Sequence, residues 1–319
     1  TLTTTCCQIE LRKLFKGGFS TGHGVLREPN DIASYAALAC IAIQSNQNDQ
    51  HGGQSICDFD YGLADGVKKT YRRLFKKHIA EAVDLLTGRE DARAFTEATL
   101  AEIEKTHGWA KIDNDPAYEA ALREAFAEAG IEEAVIDRVL AYTKKNAFND
   151  TDRATFQAME ALIHNINTMH SRAGAQTPFS SINYGMDTSA EGRLIIKNIL
   201  LATEEGLGSG ETPIFPVQIF KVKEGVNYNE GDPNYDLFKM AIKTSAMRLF
   251  PNFSFLDAPF NLQYYKPGDY NSEVAYMGCR TRVLGNVYDP DRQVTCGRGN
   301  LSFTSINLPR LGIEAKGDL

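Results

Sequence analysis

The chain has 319 residues, 43% of them hydrophobic and 24% charged, a composition typical of a soluble globular protein with at least one substantial core. Its 34 basic and 41 acidic residues give a net charge of -7 without a dense Lys/Arg block, which argues against binding along a nucleic-acid backbone but leaves nucleotides as small substrates. No apolar run approaches the ~20 residues that cross a bilayer, and no secretory signal precedes the first strand, so we expect a cytoplasmic protein without membrane contact.

The first half of the chain predicts one strand followed by helices. Residues 1–11 have the β-branched character of a strand, and after a Gly-rich stretch Asn30 or Asp31 can cap a helix whose apolar faces predict burial. Residues 67–145 are rich in Ala, Glu, Lys and Arg and include an amphipathic stretch over 118–144. This region predicts an accessory helical layer, which continues into a further helix over about 152–171.

The second half alternates helices and strands. We predict strands at 179–184, 214–222, 261–265 and 300–307, with helices at 190–205, ended by Gly206, and at 235–249, capped near Asn234. This alternation predicts an α/β architecture with a parallel or mixed sheet.

Six cysteines occur in the chain, and their spacing matches no C-x-x-C metal motif; they are Cys6, Cys7, Cys40, Cys57, Cys279 and Cys296. We therefore expect no metal site within this chain, and a disulfide framework is not expected in a cytosolic protein of this size. Cys40 reads as a small hydrophobic residue of a buried helix, and Cys57 and Cys296 read as incidental.

Cys6 and Cys7 are adjacent on the first predicted strand, so their side chains point to opposite faces. Cys6 shares its face with Gln8 and Glu10, whereas Cys7 shares its face with Ile9 and Leu11. This pattern turns Cys6 toward a polar cavity, but the residues alone leave open whether either thiol is functional or structural.

Cys279 follows a glycine and precedes two arginines, between two strand-like segments. Such a loop can display a catalytic group, and nearby positive charge favours a thiolate. Asn300 shares a polar strand face with Ser302 and Thr304, so two polar strands near cysteines could line one pocket.

Two other features favour structural interpretations. The glycines of residues 206–210 lack the Lys-Ser/Thr ending of a phosphate loop and follow a helix, so they predict a helix-ending loop. His170 lies on the apolar stripe of its predicted helix, which indicates a core histidine.

Four long segments resemble the catalytic subunit of anaerobic (class III) ribonucleoside-triphosphate reductases, which are glycyl radical enzymes. They read NTMHSRAGAQTPF at 167–179, GDPNYD at 231–236, YMGCRT at 276–281 and GRGNLSFTSINLPRLGIEAKGD at 297–318. The resemblance implies a ten-stranded α/β barrel of two five-stranded halves, incomplete in this chain. The helical segment at about 67–170, predicted above from composition and periodicity, matches the family less well around 76–150. A finger loop through the barrel would carry Cys279 as the radical cysteine. Cys6 would be the second catalytic cysteine, with Cys7 the rival assignment, and Asn300 would sit beside formate.

The same resemblance implies that Cys279 becomes a thiyl radical and removes the 3′ hydrogen of a ribonucleoside triphosphate, while formate acts as reductant. The glycyl radical and zinc site are expected C-terminal to residue 319, and an ATP cone N-terminal to residue 1. ATP and dNTP effectors, a radical-SAM activating enzyme and a homodimer are also implied. Such a fragment is expected to be inactive alone.

Three rival interpretations remain open at this point. Another glycyl radical enzyme acting on a small organic substrate would place its finger-loop cysteines differently, and a non-catalytic nucleotide-binding module would tolerate loss of Cys279. A Ser/His hydrolase is disfavoured because no nucleophile motif with a paired base is visible.

Overall fold

The computed structural model describes residues 5–22, 24–50, 52–170, 176–278, 281–283, 285–286, 288–291, 294–301 and 305–317. The strands within them are Cys6–Ile9 (β1), Phe19–Ser20 (β2), Val25–Leu26 (β3), Gln54–Ile56 (β4), Ser180–Tyr184 (β5), Val217–Val222 (β6), Asn252–Phe255 (β7), Ala275–Met277 (β8), Thr281–Val283 (β9) and Gly299–Asn300 (β10). The α-helices are Leu11–Phe15 (α1), Ile32–Asp49 (α2), Phe59–Thr87 (α3), Ala92–His107 (α4), Pro116–Glu128 (α5), Glu133–Thr168 (α6), Ala190–Glu205 (α7), Tyr235–Arg248 (α8), Pro259–Leu262 (α9) and Leu308–Ala315 (α10).

A six-stranded sheet in the order β10-β1-β4-β5-β6-β7 organises the fold. Strands β1, β4, β5, β6 and β7 are parallel, and β10 runs antiparallel to β1 at one edge. Parallel neighbours require crossover connections, which α2, the α3–α6 region, α7 and α8 supply in turn. The predicted α/β class with a mixed sheet is therefore confirmed.

The sheet is open within the described residues, because β7 and β10 are its two edges. The ten-stranded barrel expected from the resemblance is therefore not formed by this part of the chain. Five parallel strands are the number expected for one half of such a barrel, and closure stays a prediction.

The two faces of the sheet differ in chemistry because successive side chains of a strand alternate between them. One face packs against the helices and contributes Ile56, Ile182, Tyr184 and Phe220 to the main hydrophobic core. The opposite face, here called the polar face, carries mostly polar side chains together with the apolar Val217 and Ile219: Cys6, Gln8, Ser55, Ser181, Asn183, Lys221, Asn252 and Ser254.

Local signals fix the ends of two helices as predicted. Asp31 caps α2, where its side chain accepts the Ser34 N–H and the Ser34 hydroxyl bonds back to the Asp31 backbone. Helix α7 spans Ala190–Glu205 and ends at Gly206, which has a φ of 80° that favours glycine.

The predicted helical layer has its own hydrophobic core. It is built from α4 and α5 with parts of α3 and α6, and Phe75, Leu100 and Phe126 are among its buried side chains. The amphipathic stretch predicted over 118–144 is two helices, because α5 ends at Glu128 and Gly130 turns the chain with a φ of 77°.

Three expectations about the second half are wrong. The strand expected at 300–307 is confirmed only at Asn300, since residues 305–307 are not in a strand and α10 begins at Leu308; Ser302 and Thr304 lie outside the described residues.

The strand expected at 261–265 is absent there, since Pro259–Leu262 form a short helix begun by proline, and the strand of this region is β7. His170 is not a core histidine, because α6 ends at Thr168 and the His170 side chain is exposed.

None of the helices in the described part of the chain combines the length and the apolar character needed to cross a membrane.

A buried carboxylate at the start of α3 holds the loop that follows β5. Asp60 accepts the backbone N–H groups of Gly185, Met186 and Asp187 at 2.8, 3.0 and 3.0 Å. Because these donors are buried, removing their shared acceptor leaves three unsatisfied N–H groups.

We expect Asp60→Ala to lower the free energy of unfolding by about 3 kcal/mol or more, since each buried donor left unsatisfied costs about 1–3 kcal/mol. Urea unfolding measures the change. Asp65, exposed on the same helix, provides the control, and Asp65→Ala should change stability by no more than about 0.5 kcal/mol. Equal effects of the two variants would contradict this role for Asp60.

Candidate active site

The antiparallel β8–β9 hairpin lies on the polar face of the sheet. The Asn183 side chain accepts the backbone N–H of Tyr276 at 2.9 Å and donates to the Tyr276 carbonyl at 3.0 Å. The Ser55 hydroxyl donates to the same carbonyl at 2.6 Å. Side chains of β4 and β5 thus bond to the backbone N–H and carbonyl of Tyr276 on β8. The backbone of the sheet cannot supply these bonds, because its own hydrogen bonds lie in the plane of the sheet.

A buried ion pair holds the base of the hairpin. Lys221 on β6 lies 2.8 Å from Glu273, just before β8, and the Tyr61 hydroxyl donates to Glu273 at 2.9 Å. Burial alone would lower the pKa of Lys221, but the Glu273 carboxylate more than reverses this effect, so the pKa of Lys221 is raised and its ammonium stays charged.

Two glycines, Gly53 and Gly278, are in close contact just after the end of β8. A Cβ on Gly53 would lie 2.6 Å from the Gly278 Cα, and a Cβ on Gly278 would lie 2.6 Å from the Gly53 Cα. The Phe179 ring closes the same space from β5, 2.9 Å from the position of a Cβ on Gly53. Backbone therefore packs directly on backbone at residue 278, immediately before Cys279.

Cys6 and Asn300 are directly opposite each other in the antiparallel pair of β1 and β10. Directly opposite residues place their side chains on the same face, with Cβ atoms roughly 4.5–5.5 Å apart. The Thr5 N–H bonds to the Asn300 carbonyl at 2.7 Å and fixes this register. The cysteine and the asparagine singled out in the sequence are therefore neighbours on one surface.

Cys6 is buried and packs with Met277 and Val283, one from each strand of the hairpin. The prediction that Cys6 faces a polar cavity is therefore wrong for its immediate surroundings, which are these two apolar side chains with Asn300 opposite on β10. Cys279 lies outside the described residues, between β8 and β9 in the sequence. Met277 and Val283, one before it and one after it, both contact Cys6.

Cys7 points to the opposite face, toward α2, as the alternation predicted. Its thiol donates to the Gln54 side chain at 2.9 Å and accepts from the Asn46 amide at 2.6 Å. Burial raises the pKa of Cys7 to about 11, so this thiol stays protonated at neutral pH.

The remaining described cysteines are buried. Cys40 belongs to the main core as expected, and burial raises its pKa to about 12. A small cluster contains Cys57, Cys296 and Ala275, and neither cysteine is in a disulfide. The spacing of the two cysteines does not predict that they are neighbours.

Sequence reasoning missed the side chains that hold the hairpin, namely Asn183, Ser55, Lys221 and Glu273. A signal was present in the predicted strands. Asn183 lies between Ile182 and Tyr184, and Lys221 lies between Phe220 and Val222. The two side chains share one face of the sheet, and a charged residue inside a central strand calls for a buried partner.

No group of three or more His, Cys, Asp or Glu side chains in the described part of the chain could hold a metal ion. A surface cleft of about 950 Å³ lies along α3 and α4 beside Trp109. Every basic side chain that lines it is in an ion pair, as Arg72 and Lys76 are with Glu104, so the cleft offers a phosphate little uncompensated charge.

Comparison with known proteins connects this arrangement to one family. The family described as "Anaerobic ribonucleoside-triphosphate reductase" matches residues 1–319, which is the entire chain. The chain belongs to the anaerobic ribonucleoside-triphosphate reductase family. The resemblance noted from four sequence segments is thereby confirmed.

Individual members of the reductase family are distant relatives. Proteins named anaerobic ribonucleoside-triphosphate reductase from Haemophilus influenzae and Escherichia coli are 28% and 27% identical over 98% of this chain. One from Enterobacteria phage T4 is 27% identical over 98% of it. The chain spans 35% of the length of the two bacterial relatives and 41% of the phage relative.

The contact between Gly53 and Gly278 can be tested by adding one methyl group. We expect Gly53→Ala to lower the free energy of unfolding of this reductase-family protein by about 1–3 kcal/mol, because overpacking must displace backbone or the Phe179 ring. Gly208→Ala is the control, since nothing lies within 4 Å of a Cβ there. If both alanine variants unfold at the same urea concentration, the hairpin does not pack on Gly53 as described.

Proposed function

We propose that the full-length protein reduces ribonucleoside triphosphates to deoxyribonucleoside triphosphates by thiyl-radical chemistry, with formate as the reductant. Cys279, Cys6 and Asn300 are the proposed catalytic residues. Within the family, the observation that carries this proposal is the pairing of Cys6 with Asn300 beside the two strands that flank Cys279.

A glycyl radical, expected in a C-terminal region, would supply the unpaired electron to the turn of the hairpin. In the proposed reaction the Cys279 thiyl removes the 3′ hydrogen of the ribose and later returns it. A thiol suits this role because its S–H bond is weak enough to exchange hydrogen with a sugar carbon in both directions. The packed hairpin fits the need to hold reacting atoms about 3–3.5 Å apart.

Cys6 supplies the hydrogen that accompanies loss of the 2′-hydroxyl as water. Formate is oxidised to carbon dioxide and provides two electrons and one proton, and a second proton comes from solvent. The sum is ribonucleotide, formate and a proton giving deoxyribonucleotide, carbon dioxide and water. Asn300 suits formate because its amide can donate a hydrogen bond to a carboxylate beside Cys6.

The regions beyond this chain complete the proposal. A glycyl-radical loop with a zinc site is expected after residue 319 and an ATP cone before residue 1, with closure of a ten-stranded barrel around the hairpin. A homodimer, a radical-SAM activating enzyme and dNTP effectors are part of the same proposal.

Cysteine variants of the activated full-length protein test the assignment. Cys279→Ala and Cys6→Ala should abolish formation of deoxyribonucleotide, because each removes a thiol that the reaction uses. Cys7→Ser should retain most of the activity, since Cys7 faces α2. Product is measured by chromatography after incubation with ribonucleoside triphosphate and formate under strict exclusion of oxygen.

The identity of the reductant has a separate readout. Isotopically labelled formate should release labelled carbon dioxide in a one-to-one ratio with deoxyribonucleotide, and Asn300→Ala should weaken formate dependence more than nucleotide binding. Full activity of Cys279→Ala, or turnover without formate, would contradict the corresponding part of the proposal.

A further inference from the structure

We propose that Asn183 is a positioning residue, which acts through the backbone of Tyr276 to set the depth of the β8–β9 hairpin and hence the place of Cys279. The inference deepens the proposed function and rests on it. It depends on the contacts between β5 and β8, all of which lie within the described residues.

The Asn183 amide is fully buried, and all of its hydrogen-bonding groups are used. Its oxygen accepts the Tyr276 N–H, and its nitrogen lies 3.0 Å from the Tyr276 carbonyl and 3.1 Å from both the Ile56 carbonyl and the Ser55 hydroxyl oxygen. The two N–H donors of the primary amide are therefore shared among three acceptors. The side chain therefore joins β4, β5 and the hairpin at one point.

The hydrogen bonds of Asn183 matter more for the position of the hairpin than for the sheet itself. The strands of the sheet already satisfy one another through their ladders, whereas Tyr276 gives both of its backbone polar groups to side chains on the polar face. Losing the Asn183 amide would leave the partly buried Tyr276 N–H without this partner, and only the Ser55 hydroxyl would still bond to the carbonyl.

Asn183 holds β8 at Tyr276, close to the residues that precede Cys279. Tyr276 lies between the ion pair at Glu273 and the glycine contact at Gly278. Each strand of the hairpin has only three residues, so its own ladder offers little resistance to sliding on the polar face. A shift of about 1 Å in a reacting group can lower a rate by about 100-fold.

The test compares two buried asparagines in the activated full-length protein. Asn198, buried on α7, bonds to Asp152 and to the Leu194 carbonyl and touches no part of the hairpin. Asn183→Ala and Asn198→Ala should both lower thermal stability. Only Asn183→Ala should lower kcat strongly, by about 100-fold, with little change in KM for the nucleotide because the groups that bind it are not altered.

The conservative variant Asn183→Asp should make kcat depend on pH in a way that a purely structural role would not. The carboxylate of Asn183→Asp can accept the Tyr276 N–H but repels the carbonyls of Tyr276 and Ile56. Its protonated form can donate to one of them, and burial favours that neutral form. We therefore expect the kcat of Asn183→Asp, relative to wild type, to rise as pH falls. A ratio that does not change with pH would overturn the proposal.

The reactivity of Cys279 gives a readout that needs no turnover. The rate of its alkylation by iodoacetamide, followed by mass spectrometry, should increase in Asn183→Ala and stay at the wild-type value in Asn198→Ala. Equal alkylation rates in all three proteins would overturn the positioning role. The two proposals can fail separately. If the wild-type protein forms no deoxyribonucleotide but Asn183→Ala still raises the alkylation rate of Cys279, the proposed function is refuted and the positioning role is supported.

Discussion

A hairpin that lies across the face of a sheet must have its buried backbone polar groups satisfied by side chains. The ladder of the sheet runs within its own plane, so it offers nothing to a strand stacked on its face. In this chain Asn183 and Ser55 supply the missing donors and acceptor, and Lys221 compensates the charge of Glu273. The polar residues at these positions follow from that requirement.

The same requirement explains why the two faces of one sheet differ so strongly. Ile182 and Tyr184 on β5 enter a core built with helices, while Asn183 on the same strand bonds to the hairpin. Parallel sheets are ordinarily apolar on both faces, because helices cover both. A parallel strand with alternating polarity therefore indicates that its second face is covered by something other than a helix.

Much of the local structure could be predicted because its signals are short-range. Asp31 and Ser34 cap α2 three residues apart, and Gly206 ends α7 where the helical pattern stops. The alternation of side chains along β1 predicts that Cys6 and Cys7 lie on opposite faces of the strand. Asn300 was expected on a polar strand face, and the register of β10 places it opposite Cys6.

Features that depend on distant contacts were not predictable in the same way. Nothing in the local sequence brings Cys57 and Cys296 together, or Lys221 and Glu273, because each pair is formed by strands and loops far apart in the chain. The residues around Pro259 suit either a strand or a helix over so short a length, and the helix α9 forms there. Closure of the expected barrel would need strands outside the described sheet.

In the proposed enzyme the polar face and the β8–β9 hairpin bring the thiols of Cys6 and Cys279 to one substrate site. A crystal structure of the full-length protein with a bound ribonucleoside triphosphate tests this arrangement most directly. We expect both sulfurs to face the ribose, with the Asn300 amide beside them. Sulfurs on separate surfaces, or a ribose bound elsewhere, would contradict it.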